Sequence, residues 1–316
     1  MIYVTGDIHG YIDIRKFLDN DITEQITEKD YVIICGDFGL IWNYKRETGK
    51  EKKWLKWLNE RRWTTLFVDG NHECFPRLNS FPVKEWNGGK VHVIRDRILH
   101  LMRGEVFEIE GNKIFAMGGA GSHDRGPAKG DTKVVEGRFW WPEEIPSREE
   151  MDNGLRNLEK HDFKVDYVIT HCLPTTFNYI VKKGAYKPDA ITDYHEMLCG
   201  KLEFKHWYSG HYHYDLDVID NVSVIFTRII RIGETILNSE TMLGVPKYRT
   251  GDMVLYKPGN EVILGSIKNT LPFGTMFKHE EPYYEIVPAG QEDKKKFDTV
   301  MESQIIEKSL TDWSEE

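Results

Sequence analysis

Five short apolar runs in this sequence each stop at a small residue and hand over at once to aspartate, asparagine or histidine. Ile2-Tyr3-Val4 leads to Gly6-Asp7 and His9, and Tyr31-Val32-Ile33-Ile34-Cys35 leads to Gly36-Asp37. Thr65-Leu66-Phe67-Val68 leads to Gly70-Asn71-His72, Val168-Ile169-Thr170 to His171, and Trp207-Tyr208-Ser209-Gly210 to His211 and His213. Unbroken runs of β-branched and aromatic residues bounded by glycine read as strands covered on both faces. Helical patterns lie between them: Ile14, Phe17 and Leu18 within Tyr11–Leu18, then Trp54, Leu55, Trp57 and Leu58 on a lysine-rich stretch. Strands alternating with helices predict an α/β sheet, whose ligands bind beyond the carboxyl ends of the strands. Residues scattered from Asp7 to His213 are therefore expected to converge.

The converging set has a definite chemistry. Two aspartates, an asparagine and several histidines suit Mn, Fe, Zn or Ni rather than Ca. Seven candidates (Asp7, His9, Asp37, Asn71, His171, His211 and His213) are too many for one tetrahedral ion. They suit two ions about 3.5–4 Å apart, with one carboxylate bridging them. Gly6, Gly36, Gly70 and Gly210 are expected to let the backbone turn sharply, aiming the next side chain into the shared site. One histidine after a strand is ordinarily a loop or core residue; five such groups in order are not a coincidence.

Composition sets the outer bounds. With 316 residues, 40% hydrophobic and 29% charged, the chain can bury one large domain and a small appendage. A net charge of −9 argues against a surface that coats nucleic acid, although a local basic groove stays open. Four cysteines without a CxxC suggest reduced thiols, and no apolar run approaches the length of about 18 residues that spans a bilayer. The expected location is the cytoplasm, away from any membrane. A helix is expected over Ser147–His161 and an irregular glycine-rich loop over Gly118–Pro142. Past Gly244 the texture becomes strand, Lys257-Pro258-Gly259-Asn260 turn, strand, so 244–316 reads as a small β unit with an acidic tail.

The ordered motifs Asp-x-His, Gly-Asp, Gly-Asn-His-Glu, Thr-His and Gly-His-x-His resemble those of the calcineurin-like metallophosphoesterase superfamily, over roughly Met1 to Leu237. The resemblance implies a four-layer αββα sandwich in 1–243, a catalytic domain with a binuclear centre. It implies that Asp7, His9, Asp37 and His213 hold one ion, and that Asp37, as the bridge, with Asn71, His171 and His211 holds the other. Manganese is the first expectation, with Fe, Zn or Ni as alternatives. His72 would then be a histidine that binds no metal and faces the scissile phosphate. The implied activity is hydrolysis of a phosphodiester or phosphomonoester, nucleotides included, by a hydroxide bridging the ions.

Two other readings stand beside this one: processing of nucleic-acid ends, and a non-catalytic binding scaffold. No ligand position is missing, which disfavours the scaffold. The C-terminal unit resembles a small SH3-like barrel, which could recruit a protein partner or a second copy of the chain. Its nine basic against thirteen acidic residues lend nothing to nucleic-acid binding. Phosphoprotein phosphatases continue the second motif into Asp-Arg-Gly or Asn-Arg-Gly, whereas Leu40 and Ile41 stand there in this chain. Protein phosphatase activity is therefore not expected. His123 and Arg125 are candidates either to grip substrate phosphate or to form a surface loop, and Glu73 is either a partner behind the ligands or a surface acid.

Overall fold

The computed structural model describes residues 1–18, 21–122, 136–182, 186–236, 248, 251–259, 261–271, 283–290 and 297–308. They fall into two compact units. The first comprises Met1–Thr175, Pro188–Asp215 and Asn221–Ile236.

Its first sheet is built from β1 (Ile2–Thr5), β2 (Tyr31–Cys35), β3 (Thr64–Val68), β4 (Val83–Trp86), β5 (Gly89–Arg95), β6 (Ile98–Leu101) and β13 (Ile229–Arg231), in the order β13-β1-β2-β3-β6-β5-β4. The centre β1-β2-β3-β6 is parallel, with antiparallel strands at both margins. A second sheet orders β12 (Val222–Val224), β10 (His206–Ser209), β9 (Tyr167–Thr170), β8 (Asn112–Met117) and β7 (Glu105–Ile109), all parallel except β7. Ile33, Cys35, Leu66 and Val68 of the first sheet share one buried cluster with Ile114, Ala116, Ile169 and Tyr208 of the second, so the sheets pack face to face. The outer face of the first sheet is covered by a 3₁₀ turn at Ile14–Phe17, α1 (Asp21–Gln25) and α2 (Gly49–Asn59), through Ile14, Phe17, Leu55 and Leu58. On the second sheet, α4 (Arg148–Lys160) and α6 (Ala190–Cys199) take that place: Gly154 of α4 lies close to Phe115, and His195 of α6 meets Trp207 edge-on. These are the four layers of the expected sandwich. Between β3 and β4 sits the short α3 (Phe75–Leu78).

Two expectations are refined. The helix read over Tyr11–Leu18 is a single 3₁₀ turn, with Leu18 exposed. Asp13, the residue placed to cap a longer helix, makes no cap hydrogen bond, because its carboxylate is held by His9. The helix read over Ser147–His161 runs from Arg148 to Lys160, with Ser147 and Glu150 forming a reciprocal capping box.

The second unit comprises Thr176–Lys187, Leu216–Asp220 and Leu237–Glu316. It includes most of α5 (Thr175–Lys182), and β11 (Leu216–Ile219). Its antiparallel sheet orders β17 (Asp298–Met301), β16 (Tyr283–Pro288), β15 (Ile263–Leu271), β14 (Met253–Tyr256) and β18 (Ile305–Lys308). Val254, Tyr256, Ile267, Tyr284 and Ile286 form its core, and each buried tyrosine hydroxyl donates to a carboxylate, Tyr256 to Asp298 and Tyr284 to Glu302, both at 2.6 Å. The antiparallel sheet lies in the stretch read as a small β region, while the unit that holds it also takes in Thr176–Lys187 and Leu216–Asp220. No described helix is long and apolar enough to cross a membrane.

His195 predicts an acid-sensitive core. It is fully buried, its Nδ1 lies 3.8 Å from Cys172 Sγ, and its Nε2 has no hydrogen-bond partner among the described residues. Burial pushes its pKa down to about 3, so it stays neutral in the fold but takes a proton near 6.5 when unfolded. The unfolded state binds the extra proton below pH 6.5, so stability falls on acidification from there towards pH 3 and is unaffected above. At pH 5 the cost is about 2 kcal/mol. Urea midpoints at pH 7 and pH 5 should separate more for the unaltered protein than for His195→Leu; equal separation would show that this histidine does not govern the acid limb.

Candidate metal centre

The strand ends deliver their side chains to one place, and the loops that carry them are strained. His9, Asp37, His211 and His213 all have left-handed backbone, at φ 40°, 45°, 68° and 57°. Non-glycine residues adopt that region rarely, and strain of this kind gathers at functional sites. The strained loops are tied together. Ile8 N and His9 N both donate to the Asp37 carbonyl, at 3.1 and 2.9 Å, and the buried Glu73 carboxylate accepts from Phe38 N at 2.7 Å. Glu73 is therefore a partner behind the ligands: it holds the Asp37 loop in its unusual conformation. Burial and the Asp37 charge push its pKa well up.

Asp7 and Asp37 lie at the bottom of the site, 0% and 1% exposed. Asp7 Oδ2 is 3.2 Å from His213 Nε2, and the Asp7 carboxylate also accepts from His211 N at 3.0 Å. Asp37 divides its two oxygens. Oδ2 lies 3.3 Å from His9 Nε2, while Oδ1 lies 3.2 Å from His171 Nε2 and accepts from His72 N at 2.8 Å. Asn71 Oδ1 also lies 3.2 Å from His171 Nε2, and the His171 and His211 rings meet edge-on with centroids 4.9 Å apart. One oxygen of Asp37 thus faces a cluster with Asp7, His9 and His213, whose ligand atoms all lie within 4.8 Å of one another. The other faces Asn71 and His171.

The electrostatics call for positive charge. Burial alone would raise both aspartates, but His213 and His171 hold Asp7 below the usual carboxylate range, and His171 and His9 hold Asp37 well below it. Burial opposes charging the histidines as well, yet the two carboxylates raise His9 to about 9 and His171 to about 10. His211 is pushed the other way, to about 3, by burial and by the neighbouring His171 charge, which leaves it a neutral donor. A divalent cation competes for the same lone pairs as those protons, so the donor set fits a metal. Tautomers are prepared too: His171 Nδ1 lies 2.8 Å from the Cys35 carbonyl and His9 Nδ1 lies 2.7 Å from Asp13 Oδ2, which turns both Nε2 atoms into the site.

The glycines have a different reason from the one expected. Only Gly36 has a left-handed φ, at 93°. Gly70 and Gly210 are needed because a Cβ there would collide with Asp37 and Asp7 respectively. They are bare so that the next loop can approach a carboxylate.

His72 stands apart from the buried donors, its side chain 38% exposed and its Nε2 4.0 Å from Asp37 Oδ2. Its ring meets those of His9 and Trp42 at 5.4 and 5.3 Å. Leu40 and Ile41 are buried in the apolar cluster beneath α2, where neither an acid nor an arginine would be accommodated. His123 and Arg125 lie outside the described residues. Sequence reasoning missed Lys16, whose ammonium donates to the Gly6, Asp7 and Phe226 carbonyls from below. Burial lowers its pKa to about 8. It also missed Asp13, although the four-residue spacing from His9 was a usable signal.

A family model described as calcineurin-like phosphoesterase matches residues 1–215, a span that carries every one of these side chains. No curated protein matches the chain.

Proposed function

Because the chain belongs to the calcineurin-like phosphoesterase family, we propose that it hydrolyses phosphate esters with two divalent ions bridged by Asp37. The observation that carries this reading is the division of the Asp37 oxygens between two groups of donors. Asp7, His9 and His213 complete one group, and Asn71, His171 and His211 the other. Bound there, the ions would supply charge opposite the phosphoryl oxygens and a water acidic enough to be a nucleophile near neutral pH. The protein's own part is to orient. Asp13 and the Cys35 carbonyl fix two imidazoles, Glu73 and His72 N fix Asp37, and the His72 ring, reachable from solvent, would protonate the leaving oxygen.

Full-length protein loaded with Mn²⁺ should hold two ions per chain. It should cleave bis-p-nitrophenyl phosphate or p-nitrophenyl phosphate, and lose that activity to a chelator. Two bound ions with neither ester cleaved would favour the scaffold reading instead.

Asp13→Asn tests the orienting role. The carboxylate behind a metal-binding histidine sets its ring angle and basicity, and its loss typically costs about 10–100-fold in affinity or activity. Titration with Mn²⁺ should show weaker binding of one ion while the fold, followed by circular dichroism, is unchanged. Unaltered affinity would mean that the 2.7 Å contact to His9 only closes the loop.

A further inference from the structure

Two cavities flank the third strand loop. One, of about 550 Å³, is lined by Asp69, His100, Arg103 and Glu150, whose polar groups already satisfy one another: Arg103 donates to Asp69 at 2.6 Å and to the Glu143 carbonyl at 2.7 Å. The other, of about 620 Å³, opens beside the metal centre, with His9 and His72 in its lining. Its remaining walls include Trp42, Tyr11, Ile12 and Lys50. Tyr11 and Ile12 are 47% and 62% exposed, two adjacent apolar side chains open to a ligand beside a buried charged site.

We propose that this second pocket binds the nucleoside part of the substrate, with its base against Trp42 and Tyr11, so that the scissile phosphate reaches the metals. The inference rests on the phosphoesterase reading above. Aromatic faces stack on any nucleobase, because every base presents a π-face. Both rings are held ready. The Lys50 ammonium sits 4.3 Å from the Tyr11 ring centroid, and Trp42 packs edge-on against Trp141 at 5.6 Å. The loop carrying Trp42 is fixed as well: the Glu51 carboxylate accepts from Trp42 N and Asn43 N at 2.8 and 2.9 Å, and Arg77 donates to Glu51 at 2.9 Å and to the Asn43 carbonyl at 2.7 Å. Arg77 thereby neutralises Glu51, while among the described residues Lys50 makes no ion pair, only its contact with the Tyr11 ring, which favours an electron-rich, anionic ligand. A pocket shaped this way needs little rearrangement to bind. An alkyl chain would find Ile12, Leu40 and the ring faces but would leave the Lys50 ammonium unused.

Calorimetric titration of the Mn-loaded full-length protein tests this without requiring turnover. The probes are adenosine 5′-monophosphate, ribose 5-phosphate, octyl phosphate and inorganic phosphate. Adenosine monophosphate should bind at least about fivefold more tightly than ribose 5-phosphate, the lower bound for stacking one base. Trp42→Ala and the rim variant Tyr11→Ala should each narrow that gap and leave inorganic phosphate affinity unchanged, with Trp42→Phe restoring most of it. Equal binding of the nucleotide and the sugar phosphate would overturn the proposal, as would octyl phosphate binding most tightly. Base-dependent binding without hydrolysis of any ester would leave the pocket standing and count against the phosphoesterase reading alone.

Discussion

Asp37→Asn should empty both halves of the centre at once. The substitution keeps the size of the side chain and an oxygen able to accept from His72 N, so the loop should stay in place. What it removes is the charge and one of the two oxygens that face opposite donor groups, 3.3 Å from His9 and 3.2 Å from His171. If Asp37 is the bridge, metal analysis should show loss of both ions rather than one. Activity should fall by no less than the order of 10²–10³ that one preorganised charge-stabilising group is worth. A variant that retains two ions sinks the bridging assignment; one that retains a single ion assigns Asp37 to the lost site only.

Why this centre was legible from sequence is itself physical. Its candidate ligands follow the carboxyl ends of strands that are apolar on both faces, so each group is announced by an unbroken run, and all but His171 by a bare glycine. That signal points forward along the chain and says nothing about residues reaching in from elsewhere. Lys16 approaches the Gly6 and Asp7 carbonyls from a 3₁₀ turn, and in sequence it is one lysine among many. Glu73 was visible as an acid next to His72, but its role depends on two backbone N–H groups in a loop 35 residues away. The marginal strands failed for another reason. β4 reads Val-Lys-Glu-Trp and is largely exposed, so it has no apolar run, while β13 is three residues long. β6 is interrupted by His100, which is buried because it meets Asp69 at 3.0 Å.

Trp42 shows the limit from the opposite side. It follows Leu40-Ile41, the two positions where the phosphoprotein phosphatase pattern has an acid and an arginine, and those apolar residues are buried under α2. The departure from that pattern therefore does more than remove a phosphate grip. It anchors a loop that brings an indole to 5.3 Å from the His72 ring.

His72→Ala should keep the metals and lose turnover. The backbone of His72 does the structural work by donating to Asp37 Oδ1 at 2.8 Å, and alanine preserves that bond. The ring, 4.0 Å from Asp37 Oδ2 and 38% exposed, can be removed without uncovering a buried charge. Loss of a positioned general acid costs about 10²–10⁴-fold in rate, and it should appear in kcat. The choice of leaving group tells what the ring does. If His72 protonates the leaving oxygen, the defect is large for an alkyl ester and small for a p-nitrophenyl ester, whose phenolate leaves unaided. If it only stabilises charge on the phosphoryl oxygens, the two esters suffer alike. A fall in metal content on removing the ring would make His72 a ligand and both accounts wrong.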